Sequence, residues 1–343
     1  MFVCLLLIVA AVTGLAPKAQ AAVCAADIRE AVTAKRAPGG TPVEIDCDLA
    51  LQPTDTVSVP IAYSGSRASG LTLDCHGATL SGAAPGIRAL WVRSLKMANG
   101  SWDRPHDILV RDCNIVGDVR IEGLGRNGEA EEVRLSSLTA GHTERAQAAA
   151  PTRITFDHDT FTAEGGIPLY ISPGATGVTV SHSTFRGETV SVALYMDAES
   201  ARNRIIGNRF EIHTKWREMI AVDGSADNRI DNNLFENPWK GGIFLYRNCG
   251  EGGTIRHQEP QRNVITGNTF HYANFLVGRP AVWIGSRQGI SPYCLFRPDR
   301  PFGSSLSALD HAEHNTVSGN HLPGGAGRLI VDNDRNNVVA DNR

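Results

Sequence analysis

Four segments in the second half of the chain share one pattern: Asn, any residue, Ile or Val, any two residues, Asn, any residue, then Phe or Leu. They are NRIIGNRF (203–210), NRIDNNLF (228–235), NVITGNTF (263–270) and NTVSGNHL (315–322), and a truncated copy, NVVADN, follows at 337–342. Looser copies lacking the asparagines start at 178 (VTVSHSTF), 154 (ITFDHDTF), 131 (EEVRLSSL) and 108 (ILVRDCNI). Most starts lie 22 to 25 residues apart, with two longer steps of 35 and 52. A unit this short, built of alternating apolar positions and Asn/Gly turns, is too small for a helical hairpin repeat or a propeller blade. The leucine ladder of a leucine-rich repeat is absent. What fits is a coil of short parallel strands stacked about 4.8 Å apart. Apolar side chains then point inward, and turn asparagines bond to their equivalents in the next coil.

On these residues, over roughly 70–343, the chain resembles the right-handed parallel β-helix proteins of the pectate lyase-like superfamily. The resemblance implies an all-β, single-stranded right-handed parallel β-helix, a solenoid with a short N-terminal capping helix. It assigns no activity, because the motifs of pectate lyases and polygalacturonases are missing. RPHD (104–107) is similar to a short motif of alginate epimerases, but it runs straight into a strand and is read as coincidence. The open apolar end of such a coil needs a cover. CAADIREAVTAKRAPGG (24–40) reads as an amphipathic helix stopped by Pro38-Gly39-Gly40, which makes 24–50 the cap. The expected organisation is a leader at 1–22 and one β-helix domain at 23–343.

The leader is expected because MFVCLLLIVAAVTGLAPKAQAA is a short apolar run ending in Ala19-Gln20-Ala21, although its first residues lack the usual positive charge. No later segment approaches transmembrane length. The protein is thus expected to be secreted or periplasmic, with no membrane partner after leader removal and no nucleic-acid partner. Beyond Cys4 there are six cysteines, an even number that suits disulfides in an exported chain. None shows the close C-x-x-C spacing of a zinc or redox site. Cys24 and Cys47 flank the cap, Cys75 and Cys113 fall at matching places of neighbouring coils, and Cys249 and Cys294 lie in two long insertions. Three local pairs are expected. Net charge is −3, yet residues 201–300 carry 14 Lys+Arg against 9 Asp+Glu, which favours an anionic partner.

Each coil has a second strand: LYIS (169–172), LYMD (194–197), IAVD (220–223), FLYR (244–247), VWIG (282–285) and LIVD (329–332). With the first and third positions inward, the second and fourth face out. That alignment puts Asp197, Asp223 and Arg247 in one outward column flanked by Tyr170, Tyr195 and Trp283. Insertions at 247–262 and 285–314 start just after this strand and are expected to wall a groove, with Arg256 and His257 on that wall. Lys215, Trp216, Arg217, Glu218, Trp239 and Lys240 line the opposite side.

Three functions suit such a groove. The leading expectation is a polysaccharide lyase acting on an acidic, uronate-containing glycan by β-elimination. Asp197, Asp223 and Glu218 would hold Ca²⁺ to neutralise the substrate carboxylate. Arg247 or Lys240 would act as the base, with Tyr195 as an alternative proton carrier. Tyr170, Trp283, Lys215, Trp239, Arg256 and His257 would contact sugar. In the hydrolase alternative Asp197 and Asp223 are the paired carboxylates. The third reading is a non-catalytic glycan-binding surface protein, and epimerases complete the set.

Overall fold

A computed structural model describes residues 22–35, 40–82, 88–274, 276, 278–290, 292–325 and 327–343. The expected leader, apart from Ala22, and the Pro38-Gly39 stop lie outside the described residues. The strands form three long parallel sheets. Sheet 1 has ten strands, from Val43–Glu44 through Leu169–Ile171, Leu194–Met196, Ile220–Asp223 and Ile243–Tyr246 to Ile330–Asp332. Sheet 2, also of ten strands, carries the first strand of each repeat copy, and sheet 3 has nine. The chain visits sheets 1, 2 and 3 in turn and then returns one rung higher. It is a right-handed parallel β-helix, as the repeat predicts, and coiling already begins near residue 43.

Two ladders explain the repeat. Asn203, Asn228, Asn263, Asn315 and Asn337 stand at one corner, and each side-chain amide donates to the next Oδ1 at 2.8–3.2 Å. Asn208, Asn233, Asn268, Asn320 and Asn342 repeat this at the next corner, at 2.8–3.0 Å. Each Oδ1 also accepts the backbone N–H of the preceding rung's asparagine, so buried turn amides are paired. Inside, Phe161, Phe185, Phe210, Phe235 and Phe270 stack with centroids 4.6–4.8 Å apart, matching the strand spacing.

Helix α1 (Ala26–Thr33) caps the N-terminal end. Its Val32 is buried in the main core, and the Cys24–Cys47 disulfide ties its start to the first rungs. A second disulfide joins Cys75 and Cys113 on neighbouring rungs, as expected. The third expected pair is not bridged. Cys249 and Cys294 are buried thiols in contact, with the Cys294 N–H donating to the Cys249 sulfur at 2.8 Å.

EEVRLSSL is not a coil strand. Residues Glu131–Ser137 form helix α2, followed by α3 (His142–Ala149). Ile108 pairs directly with Ile154, a rung of 46 residues. That length is twice the ordinary repeat, so the helical insertion mimics one extra coil. Its glutamates sit in the first helical turn, where the helix dipole favours them.

Candidate functional site

The outer face of sheet 1 is the region the sequence singles out, and its register differs from the expected one in two copies. Ile220 pairs with Ile243, and Asp223 with Tyr246. The aligned segment is therefore IFLY rather than FLYR. Ile243 and Leu245 enter the core, whereas Phe244 and Tyr246 face out and pack with Tyr170, Tyr195 and Ala221. A one-residue slip exchanges the two faces of a strand. Four consecutive apolar residues hide the register, because both faces of this strand are covered. The last copy slips likewise, since Val282 pairs with Ile330 and not Leu329. Arg247 thus lies just past the column. It donates to the Leu309 carbonyl at 3.0 Å, pairs with Glu259 at 3.5 Å, and is 3% exposed.

Asp197 and Asp223 do occupy matching outward slots, but loops seal them. Tyr170 donates to Asp197 Oδ2 at 2.5 Å, and Tyr195 to Asp223 Oδ2 at 2.7 Å. The Gly128 N–H caps Asp197 at 2.8 Å, and Asn248 caps both oxygens of Asp223 at 2.8 and 2.9 Å. The cation beside them is Arg256, whose Nη2 lies 3.4 Å from Asp197 and 3.8 Å from Asp223. Burial pushes Asp197 above the usual carboxylate range, and Arg256 opposes that rise. Burial and the nearby carboxylates also push both tyrosines well above their ordinary value, so they stay protonated.

Several expectations are corrected by this geometry. The three carboxylates expected to hold Ca²⁺ do not form one ligand set. Glu218 instead accepts from Arg217 at 2.8 Å and from Tyr246 at 3.2 Å. A cation between Asp197 and Asp223 would have to displace Arg256. Arg256 and His257 are not groove-wall contacts either: His257 donates to the Ser137 carbonyl at 2.9 Å, at the end of α2. Neither Arg247 nor Tyr195 is placed as a proton acceptor. The insertions at 123–150, 247–262 and 285–314 close over the column rather than wall an open groove. Glu199 belongs to the same closure and carried no sequence signal. It accepts from Thr143, from the His257 N–H at 2.7 Å and from the Gln258 N–H at 3.0 Å, and burial raises it to about 7.

Beside the sealed carboxylates runs a strip that the sequence reading caught only in part. Strand pairing lines up Trp91, Arg120, Tyr170, Tyr195, Ala221, Phe244 and Trp283. Six rung steps make it about 29 Å long. Tyr170 and Tyr195 stack at 4.9 Å, and Phe244 meets Trp283 edge-on at 5.4 Å. Arginines roof these rings: Arg88 and Arg93 each 4.8 Å from Trp91, Arg120 4.4 Å from Tyr170, and Arg287 4.0 Å from Tyr246. Arg217 reaches both Tyr195 and Tyr246 at 5.8 Å. Its guanidinium stays charged, since Tyr246 and Glu218 outweigh its burial. Arg120, single in its strand, and Arg287, in the turn after one, were missed because neither carries a periodic signal.

On the expected opposite wall, Trp216 is 71% exposed and Trp239 40%. Lys215 pairs with Glu188 at 2.7 Å, and Lys240 is half-buried. These residues edge the strip in the turns entering sheet 1.

The family described as "Right handed beta helix region" matches residues 144–277. No curated protein matches the chain. Among solved structures, the surface protein and adhesin PfbA of Streptococcus pneumoniae is 13% identical, over 85% of this chain and 80% of that one, with a TM-score of 0.43. The mannuronan C-5 epimerase AlgE6 A-module of Azotobacter vinelandii is 11% identical over 84% and 90%, with a TM-score of 0.28. The periplasmic alginate epimerase AlgG is 12% identical over 84% and 77%, at 0.26. By its strand topology the chain folds as a right-handed parallel β-helix.

Proposed function

We propose that this is an exported β-helix protein that recognises an acidic polysaccharide along the arginine-roofed aromatic strip of sheet 1. The observation that carries this reading is the strip itself. Tyr170, Tyr195 and Phe244 are buried, guanidiniums lie over the two tyrosines as the outer layer, and Trp91 and Trp283 are half-buried at the ends, which suits uronate carboxylates along the strip and sugar faces at its ends. The two disulfides support an oxidising compartment, and among the described residues no helix is long and apolar enough to cross a membrane.

Recognition is favoured over β-elimination because elimination needs a deprotonated base at the sugar C5. The tyrosines here donate to carboxylates and are held protonated, and the carboxylates are capped and paired with Arg256. The hydrolase reading meets the same obstacle, since neither carboxylate reaches solvent.

The test is calorimetric titration of the mature protein with polygalacturonate and alginate oligosaccharides, against neutral dextran oligosaccharides, with absorbance at 235 nm followed in parallel. Binding to the acidic oligosaccharides alone, weakened at least ten-fold in Arg217→Ala/Arg287→Ala, is expected. Equal affinity for the neutral series would refute anionic selectivity. A rise at 235 nm that disappears in Tyr195→Phe would restore the lyase.

A further inference from the structure

The coil brings together two histidines that lie 24 residues apart in the sequence. At the corner between sheets 2 and 3, His158 and His182 hold the same turn position one rung apart. Both have left-handed backbone, with φ of 57° and 48°. Their rings stack with centroids 4.9 Å apart. Each directs Nδ1 at one carboxylate, His158 to Asp157 Oδ2 and His182 to Asp157 Oδ1, both at 2.9 Å. One ligand atom from each of the three residues lies within 4.8 Å of the other two, and among the described residues this is the one such group of three. The Ser181 hydroxyl donates to Asp157 Oδ1 at 2.6 Å and fixes the carboxylate. The next rung places Gly207 at the turn, where a side chain would begin 3.5 Å from the His182 ring.

We propose that Asp157, His158 and His182 form a surface site for a first-row divalent cation of borderline softness, with Zn²⁺ the fitting ion. Two imidazoles and one carboxylate suit such an ion and not Ca²⁺, which takes oxygen. Tetrahedral bonds of about 2.0–2.1 Å bring ligand atoms to about 3.3 Å from one another. The nitrogen–oxygen pairs are already this close, and the two rings, each 59% exposed as side chains, have room to turn their nitrogens inward. On uptake each Nδ1 presents its lone pair to the ion and Nε2 carries the ring proton. Ser181 then plays the orienting part of an outer-shell donor. The site lies on a different corner from the strip of sheet 1, so its role is independent of the glycan reading. It would join two rungs by metal where the asparagine ladder has not yet begun.

The experiment uses tag-free mature protein, dialysed against Zn²⁺ and assayed for bound metal, with Co²⁺ as an optical probe and thermal melts alongside. One Zn²⁺ per chain is expected, with visible Co²⁺ bands and a melting midpoint raised by Zn²⁺. His158→Ala and His182→Ala should each abolish all three effects. Ser181→Ala should weaken binding by roughly ten-fold. His213→Ala removes a single histidine paired with Glu188 and should change nothing. Absence of Zn²⁺ binding, or binding that survives in both His158→Ala and His182→Ala, overturns the site and leaves an ion pair only.

Discussion

Two lines of side chains run along this solenoid, one inside sheet 3 and one outside sheet 1, and they are built on opposite principles. The inner line repeats one residue: five phenylalanines stack, and two asparagine ladders beside them hand the same hydrogen bond from rung to rung. The outer line repeats nothing. Asp197, Asp223 and Tyr246 occupy successive slots, and residues from three insertions satisfy them. Repetition supplies regular stability in small equal parts. The outer cluster concentrates charge at one place and depends on a single arginine.

That contrast is broken or sharpened first at Arg256. Arg256→Ala leaves Asp197 and Asp223 buried with no cation against them, and should cost about 3–5 kcal/mol in chemical denaturation. Adding Asp197→Asn to that variant should recover part of the loss. If it does not, the penalty comes from lost packing and the outer line is not electrostatic.

The next effect is a pH dependence at Glu199. Its folded pKa of about 7 lies above the ordinary 4.5, so the folded chain keeps a proton that the unfolded chain releases between those values. Its contribution to stability is full below about pH 4.5 and is lost as pH rises toward 7, a change of about 3 kcal/mol. His142, which burial lowers to about 3, acts in the opposite sense and loses stability as pH falls below 6.5. The difference between wild type and Glu199→Gln isolates the first effect. It should shrink progressively from pH 4.5 to 7, and a constant difference would remove Glu199 from the titrating groups.

The inner line should respond more mildly. Asn233→Ala removes the acceptor of the Asn208 N–H and the donor to the Ile205 carbonyl, at about 1–3 kcal/mol in the same denaturation assay. Smallest of all, Trp216→Ala, on an exposed turn, should stay within about 0.5 kcal/mol by thermal melt. A larger loss would mean that the edge of the strip is structural.

The same contrast explains what the sequence disclosed. The inner line was legible because Asn and Phe recur at fixed offsets, and one residue type at one period has a single physical explanation. Two disulfides followed from that frame. The outer line was partly legible: Asp197, Asp223, Tyr170 and Tyr195 were found in their slots. Arg247 was misplaced because Ile243-Phe244-Leu245-Tyr246 does not alternate, and an unalternating strand conceals its register. Burial of the column was missed because the third insertion adds about one repeat length to its rung and was counted as a coil. Arg256, the true counter-ion, sits on a loop, and nothing periodic points a loop residue at a particular carboxylate. The His158–His182 pair stands at the fifth position of the copies starting at 154 and 178, but those copies lack the asparagines on which the alignment was read, and the pair was passed over.

The loops that seal the column also alter how the molecule comes apart. Thr254 donates to the Gly128 carbonyl at 2.6 Å, the Ile255 N–H to Ser137 Oγ at 3.0 Å, and His257 to the Ser137 carbonyl at 2.9 Å. These contacts join positions 118 to 126 residues apart, whereas the ladders reach only the next rung. A solenoid held by neighbour contacts alone opens like a zipper, from whichever end frays first. Here a clasp spans the middle, so the rungs between residues 128 and 257 cannot peel one at a time without first releasing it. That stretch becomes one cooperative block, with looser turns on either side of it.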